Sequence, residues 1–167
     1  MTLAVRIDAM ARGDAASVAA LDGPTRMDEA HVQEEAERPW TRAWVAREES
    51  GGLVGYVITW HVTDELHVLN VATHAARRRQ GVGRALLAAA VDYARRARCR
   101  HVLLEVRRSN APAIGLYRAF GFFAMGIRAR YYADDEDAIE MVLLLDPETG
   151  SVVTHPDEVR LEGTEAH

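Results

Sequence analysis

A short glycine turn, Gly81-Val82-Gly83, is the feature that most constrains what this chain can fold into. It follows a strand-like segment, Glu65–Thr73, and opens the most regular helical pattern in the sequence, Val82–Ala97. Glycine lets the backbone approach a ligand and leaves neighbouring N–H groups uncovered. A helix N-terminus gathers such donors and carries about half a positive charge. The turn therefore predicts an anion-binding site, with a diphosphate as the first expectation.

The distribution of charge supports an anionic ligand. All 20 cationic side chains are arginine, and ten of them fall between Arg77 and Arg108, opposed only by Asp92 and Glu105. This segment carries +8, and the rest of the chain carries −13. A GC-rich genome explains missing lysine but not this clustering. A nucleic-acid backbone is an alternative anion, but aromatic residues do not alternate with the arginines as a single-strand platform requires, so we expect no nucleic-acid partner.

Two common diphosphate motifs do not fit the spacing around the turn. A P-loop has four residues between its glycines and then a lysine, which this chain lacks. A dinucleotide-binding loop has a third glycine, whereas Gly83 is followed by Arg84-Ala85-Leu86. What remains is an Arg-x-x-Gly-x-Gly pattern, from Arg78 to Gly83, between a strand and a long helix.

The other periodic segments predict one mixed, mostly antiparallel sheet of about seven strands covered by about four helices, an α/β (α+β) fold. The order βααβββαβαββ is not the regular alternation of a doubly wound sheet. The predicted strands are Leu3–Asp8, Trp40–Arg47, Leu53–Val62, Glu65–Thr73, His101–Val106, Phe122–Tyr132 and Ala138–Leu145; the predicted helices are Gly13–Leu21, Met27–Arg38, Val82–Ala97 and Ala111–Phe120. A break is predicted at Gly23-Pro24-Thr25.

Composition sets the remaining bounds. Residues 1–146 are predicted to form one domain, and the acidic segment 147–167 a weakly ordered tail. No apolar run of about 18 residues occurs, so we expect no membrane partner, and the N-terminus lacks the features of a signal peptide. Cys99 is the single cysteine, which excludes an internal disulfide. The seven histidines lack the spacing of metal ligands, so we expect no metal. We expect the protein to be cytoplasmic.

Further motifs connect the turn to a known family. Residues 104–117 read LEVRRSNAPAIGLY and continue into FGF at 120–122, while RARYY occupies 128–132 and EDAIEM occupies 136–141. The turn resembles the coenzyme A pyrophosphate loop of the Gcn5-related N-acetyltransferases (GNAT). The other segments resemble the LEVR-x-SN-x-x-A-I-x-LY-x-x-x-GF, R-x-x-YY and EDAI-x-M motifs of the bacterial ribosomal-protein-alanine N-acetyltransferases. The resemblance covers about Glu65–Leu145, nearly half of the chain.

The resemblance implies the GNAT fold, with acetyl-CoA as cosubstrate. Val71–Thr73 corresponds to the strand whose backbone pairs with the pantetheine arm, splayed from the strand at His101–Val106, and Arg78–Gly83 corresponds to the pyrophosphate loop. The implied cofactor-binding residues are Val71, Ala72, Thr73, Arg78, Arg79, Gln80, Gly81, Val82, Gly83, Arg84, Asn110 and Tyr117.

The resemblance also implies two catalytic residues, Glu105 as general base and Tyr117 as the general acid that contacts the thioester sulfur. Acyl transfer to an amine needs a neutral amine, a polarised carbonyl and a leaving thiolate that can be protonated. An N-terminal α-amine has a pKa of about 8 and a lysine about 10.4, so one carboxylate, acting directly or through water, suffices for the former. Judged by residue type alone, Glu105 could instead pair with an arginine, and Tyr117 could be a core aromatic.

The acceptor is the least determined part. The family carries a Pro-Trp-Ser segment between its first two helices, whereas Asp22–Met27 lacks tryptophan. A protein N-terminal α-amine, as in ribosomal-protein alanine acetylation, is the first expectation. A small-molecule amine and a non-catalytic coenzyme A-binding module are the alternatives. The acidic turn Asp134–Asp137 either attracts a basic peptide or is simply solvated.

Overall fold

The computed structural model describes residues 2–22 and 27–161, and within them a sheet of eight strands with four α-helices. The strands are β1 (Arg6–Ala9), β2 (Thr41–Arg47), β3 (Leu53–Val62), β4 (Glu65–Thr73), β5 (His101–Arg107), β6 (Phe123–Arg128), β7 (Ala138–Leu145) and β8 (Val152–Val153). The helices are α1 (Ala15–Asp22), α2 (Glu29–Glu37), α3 (Val82–Arg96) and α4 (Ala111–Phe120). The strand order is β1-β2-β3-β4-β5-β7-β6, with β8 on β7. The predicted class and element order are confirmed, with β8 as an addition.

Several predicted segments differ from the structure or lie outside it. β1 spans Arg6–Ala9 rather than Leu3–Asp8. β6 ends at Arg128 rather than continuing to Tyr132, because Arg130 adopts a left-handed φ of +55° and the chain turns there. Residues 147–161, which the sequence assigns to a tail, include β8, whose residues pair antiparallel with Leu144 and Leu145. The boundary at residue 146 stays a prediction. The predicted break at Gly23-Pro24-Thr25 and residues 162–167 lie outside the described residues.

The described residues fall into two compact units. The first comprises the chain up to Val62 together with Val68–Tyr93, and the second comprises Thr63–His67 together with the chain from Ala94 onward. In the first unit, β1, β2 and β3 pair antiparallel. Its core contains buried residues of α1, α2, β2 and β3, namely Ala15, Val18, Val32, Val45, Tyr56 and Ile58.

Within the first unit, Gly55 lets the start of α3 lie close to β3. A Cβ on Gly55 would lie 2.8 Å from Val82 Cγ1 and 2.9 Å from the Ala72 carbonyl oxygen, so any side chain there would push β4 and α3 away. The N–H of His74 donates to the Val54 carbonyl at 2.7 Å. Because both the end of β4 and the start of α3 are held against β3, the turn between them has a fixed position.

In the second unit, β7 is the central strand and pairs antiparallel with β5, β6 and β8. Val102, Leu104 and Val106 of β5 are buried, so alternation places His101, Leu103, Glu105 and Arg107 on the opposite, half-exposed face. In the described part of the chain, no helix has the length and apolar character needed to cross a membrane.

Candidate active site

The predicted glycine turn leads directly into α3 in the first unit. Gly81 has a φ of +86°, a conformation that favours glycine, and its carbonyl accepts the first helical hydrogen bond, from the Ala85 N–H at 3.1 Å. The N-terminal segment supports the turn: the Leu3 N–H donates to the Gln80 carbonyl at 2.8 Å, and a Cβ on Gly81 would lie 3.3 Å from Thr2 Cγ2. The turn is therefore fixed in shape and open on its other side.

The arginines around the turn divide into two groups. Arg77 is committed to Glu48, with Nε 2.8 Å from Oε2, and this pairing raises the pKa of Arg77 and lowers that of Glu48. Arg78, Arg79 and Arg84 are exposed beside the first turn of α3. The N–H groups of that first turn have no carbonyl partner within the helix. Exposed cations beside such donors fit the pyrophosphate of coenzyme A.

The last residues of β4, Val71, Ala72 and Thr73, are half-buried and belong to the same unit as the turn. They precede the 3-10 turn Ala75–Arg77, which the His74 side chain caps by accepting from the Ala76 N–H at 3.1 Å. The end of β4, predicted to bind the pantetheine arm, and the predicted pyrophosphate loop are therefore only a few residues apart and lie in the same unit.

Tyr117 and Asn110 are held by α4 in the second unit. Tyr117 is 9% exposed, and burial, with a smaller contribution from Tyr132, raises the pKa of its hydroxyl to about 12. Its ring packs against Phe122 with centroids 5.7 Å apart. Asn110 caps α4 as predicted, its side-chain oxygen accepting from the Ala113 N–H at 3.2 Å. The Tyr117 hydroxyl therefore keeps its proton at physiological pH.

Glu105 lies on the half-exposed face of β5, with its side chain 30% exposed. Its Oε1 is 3.7 Å from Arg128 Nε, and the Glu105 carboxylate raises the pKa of the Tyr131 hydroxyl. The ion-pair alternative thus has a partner in Arg128, although the shorter contact of that guanidinium is to Glu140. Because the distance to Arg128 is too long for a hydrogen bond, the Glu105 carboxylate still has acceptor capacity for an amine proton.

The acidic turn pairs with two arginines at the end of β5. Arg107 Nη1 lies 2.9 Å from Asp134 and 3.0 Å from Glu136, and Arg108 pairs with Asp137 at 3.1 Å. The pKa of Asp134 is lowered first by Arg107, that of Glu136 first by Ser109 and next by Arg107, and that of Asp137 first by the Arg130 backbone and next by Arg108. The two alternatives for this turn stay predictions. The pairing with Arg107 and Arg108 was not predicted, since the partners lie more than 25 residues apart in the chain.

The single cysteine and one cluster of possible metal ligands lie elsewhere in the second unit. Cys99 is 1% exposed, and burial with the nearby Asp64 charge raises the pKa of its thiol, so a nucleophilic thiolate is disfavoured. Asp64, Glu65 and His101 bring one ligand atom each within 4.8 Å of the others. Arg100 lies 3.7 Å from Asp64 and His67 lies 3.0 Å from Glu65. The absence of a metal stays a prediction.

Three residues of this region had no predicted role: Arg128, Tyr131 and Glu140. They stand in the RARYY and EDAIEM segments, which served only to mark the resemblance. The structure gathers them around Glu105 through the pairing of β5, β7 and β6. The signal that could have found them is the register itself, which requires knowing which strands are neighbours.

The chain is similar to a known protein family, to curated proteins and to solved structures. Residues 14–122 match the family described as the Acetyltransferase (GNAT) family. The ribosomal protein bS18-alanine N-acetyltransferase of Escherichia coli (strain K12) is 41% identical over 98 residues, covering 57% of this chain and 66% of the relative. An N-alpha-acetyltransferase of Sulfurisphaera tokodaii is 35% identical over 117 residues, covering 62% and 70%. The crystal structure of the ribosomal-protein-S18-alanine N-acetyltransferase from Escherichia coli superimposes with a TM-score of 0.77 at 27% identity, covering 94% of this chain and 99% of that one.

Proposed function

Because this chain belongs to the acetyltransferase (GNAT) family, we propose that it transfers the acetyl group of acetyl-CoA directly to the N-terminal α-amine of a protein. Members of the family use acetyl-CoA as the acetyl donor, and two relatives are named for acetylation at ribosomal-protein alanine or at an α-amine. One observation on this chain carries the proposal: the buried Tyr117 hydroxyl retains its proton, with a pKa of about 12, in the same unit as the half-exposed Glu105.

The cosubstrate is assigned to three groups of residues. The pyrophosphate is held by the turn from Arg78 through Gln80 and Gly81 to Val82 and Gly83, with the exposed Arg79 and Arg84 supplying positive charge. The pantetheine arm pairs with the backbone of Val71, Ala72 and Thr73. Asn110 and Tyr117 contact the cosubstrate from α4.

The reaction needs a base, an oxyanion donor and an acid. Glu105 accepts a proton from the ammonium group, directly or through water, and the neutral amine attacks the thioester carbonyl carbon. A backbone N–H within Val71–Thr73 stabilises the negative charge that develops on the carbonyl oxygen. As the C–S bond breaks, Tyr117 donates its proton to the departing sulfur. The nitrogen, which became positively charged in the attack, loses one proton, and this proton returns to the Tyr117 oxygen through water, so that the products are the amide and the thiol of coenzyme A. The burial that keeps this hydroxyl protonated also makes a thiolate beside it more basic.

The acceptor is tested with a peptide library of varied N-termini, incubated with acetyl-CoA and read by mass spectrometry and thiol release. A peptide beginning Ala-Arg should react faster than spermine or an aminoglycoside. The matched control is the same peptide with a blocked N-terminus and an internal lysine. Reaction of the small amines alone would refute the protein acceptor. Binding of acetyl-CoA with no thiol release for any amine would leave a non-catalytic binding module.

The role of Glu105 is tested by Glu105→Gln. Removing the base should lower kcat by about 100-fold and leave the KM for acetyl-CoA within about twofold, with the largest loss at low pH, where most of the α-amine is protonated. Glu148→Gln, at an exposed position after β7, is the control. A parental kcat for Glu105→Gln would remove this residue from the mechanism.

A further inference from the structure

The sheet register places two acidic residues directly opposite each other. Glu105 of β5 pairs with Glu140 of β7, and on the other side of β7 Glu140 pairs with Gly126 of β6. Like charges opposite each other on one sheet face repel. The glycine makes room for this arrangement, because a Cβ on Gly126 would lie 2.7 Å from Glu140 Oε2. The Glu140 carboxylate therefore lies over β6.

Arg128 is the cation that compensates this pair. Its Nε makes a short hydrogen bond to Glu140 Oε1 and lies 3.7 Å from Glu105 Oε1. The pKa of Arg128 is raised, first by the bond to Glu140 and next by the Glu105 charge. Glu140 is thus the anchor for the guanidinium. The Arg128 charge acts on Glu105 at a distance too long for a hydrogen bond, so Arg128 does not occupy the lone pairs of the Glu105 oxygens.

A second group lies near Glu105 in the loop after β6. The Glu105 carboxylate raises the pKa of the Tyr131 hydroxyl, and the Arg128 guanidinium lies 5.6 Å from the centroid of the Tyr131 ring. Tyr131 also meets Tyr132 edge-on at 5.1 Å, and Tyr132 lies under the Arg107 guanidinium at 4.1 Å. Arg128, Tyr131 and Glu140 therefore surround Glu105 within the second unit.

We propose that Arg128, anchored by Glu140, is a positioning residue that holds the Glu105 carboxylate oriented toward the acceptor amine. The inference rests on the proposed function, in which Glu105 takes the amine proton. Arg128 is 54% exposed and its pair adds little to stability, so the arrangement does more for orientation than for folding. If Glu140 did not bind the guanidinium, Arg128 could pair fully with Glu105 and occupy the lone pairs that the base needs.

The orientation is tested through Tyr131, independently of activity. The pKa of Tyr131 is raised with Glu105 as the largest cause, and the Arg128 charge acts in the opposite direction. If Arg128 holds the carboxylate, Arg128→Ala releases Glu105 and the pKa of Tyr131 falls toward its ordinary value, as it must in Glu105→Gln. If Glu105 stays in place without Arg128, the loss of a nearby cation raises the pKa of Tyr131 instead, and the proposal is wrong. Tyrosinate absorbance of each variant, compared with its Tyr131→Phe counterpart, gives the sign.

Kinetics supply the second measurement. Arg128→Ala should lower kcat about tenfold with the KM for acetyl-CoA within about twofold, and Arg128→Lys should recover part of the loss because it restores the charge. Arg47→Ala is the matched control, since Arg47 also bridges two carboxylates, those of Asp8 and Asp14, and its loss should lower Tm without changing kcat. A parental kcat for Arg128→Ala beside an impaired Glu105→Gln overturns the positioning role. A parental kcat for Glu105→Gln removes Glu105 from the mechanism, while the Tyr131 titration still reports whether Arg128 holds the carboxylate.

Discussion

Arg118 of α4 and Asp157 of the C-terminal segment form a two-point ion pair, with nitrogen–oxygen distances of 3.1 and 2.8 Å. Asp157 also accepts from the Ala124 N–H at 2.9 Å, and the next residue, Glu158, donates its N–H to the Ala124 carbonyl at 2.8 Å. His155 stacks on Phe123 with centroids 4.4 Å apart. Residues 155–158 therefore bind to the helix that carries Tyr117 and to the strand that follows it.

Asp157→Asn should lower the free energy of unfolding by about 1 kcal/mol, because it weakens a charge-assisted pair and a backbone hydrogen bond. The pKa of Asp157 is lowered in the folded state, first by Arg118. A lowered carboxyl pKa stabilises the fold above the unfolded pKa of about 3.9 and loses that contribution as pH falls through the folded value. Denaturant melts should show the difference between parent and variant at pH 7 and its disappearance at the acid end. Glu148→Gln is the control, and equal melts at pH 7 would contradict the expectation.

Gly121→Ala should destabilise the protein by about 1–3 kcal/mol. Gly121 ends α4 with a φ of +104°, and a Cβ there would lie 2.9 Å from Val152 Cγ1 of β8. Gly115→Ala, on the same helix, is the matched control. Apart from its chain neighbours and the backbone of its own helix, no atom of the described residues lies within 4 Å of the added Cβ, and this substitution should stabilise the helix by about 0.5–1 kcal/mol. Thermal unfolding of the two variants should shift in opposite directions; a shift in the same direction would exclude this account.

Gly81→Ala should raise the KM for acetyl-CoA at least tenfold with little effect on unfolding of the rest of the chain, because it strains the φ of +86° and distorts the phosphate turn. Arg78→Ala should raise the same KM more modestly, and more at low salt than at high salt. Arg77→Ala is the control, since its guanidinium is already bound to Glu48. Steady-state kinetics and direct binding of coenzyme A provide the measurement, and equal effects at Arg77 and Arg78 would show that the turn is not selective.

Tyr117→Phe should lower kcat by about 100-fold or more and leave the KM for acetyl-CoA nearly unchanged, because it removes a proton donor and keeps the ring. A pKa of about 12 also means that Tyr117 does not ionise below about pH 11, so any alkaline decline of activity near pH 9 arises elsewhere. Leu116→Met, at the neighbouring half-buried position, controls for a general disturbance of α4. An unchanged kcat in Tyr117→Phe would eliminate it as the acid.

The sequence alone predicted the elements of this fold well where each depends on its own residues. β3, β4, α4 and β7 have the predicted bounds, because their side-chain periodicity and caps are local properties. The glycine turn before α3 was also readable, since a strand, a glycine pair and a helix are adjacent along the chain. Membership of the family followed from motifs of the same local kind.

Only the tertiary structure decided which charges are free and which are bound. Sequence composition could not separate Arg77, which is bound to Glu48, from the exposed Arg78 and Arg79, nor show that Arg107 and Arg108 pair with the acidic turn. It could not place Glu140 opposite Glu105. The reason is physical: an ion pair is set by distances of a few ångströms between residues far apart in sequence, and those distances exist only after the strands have taken their register.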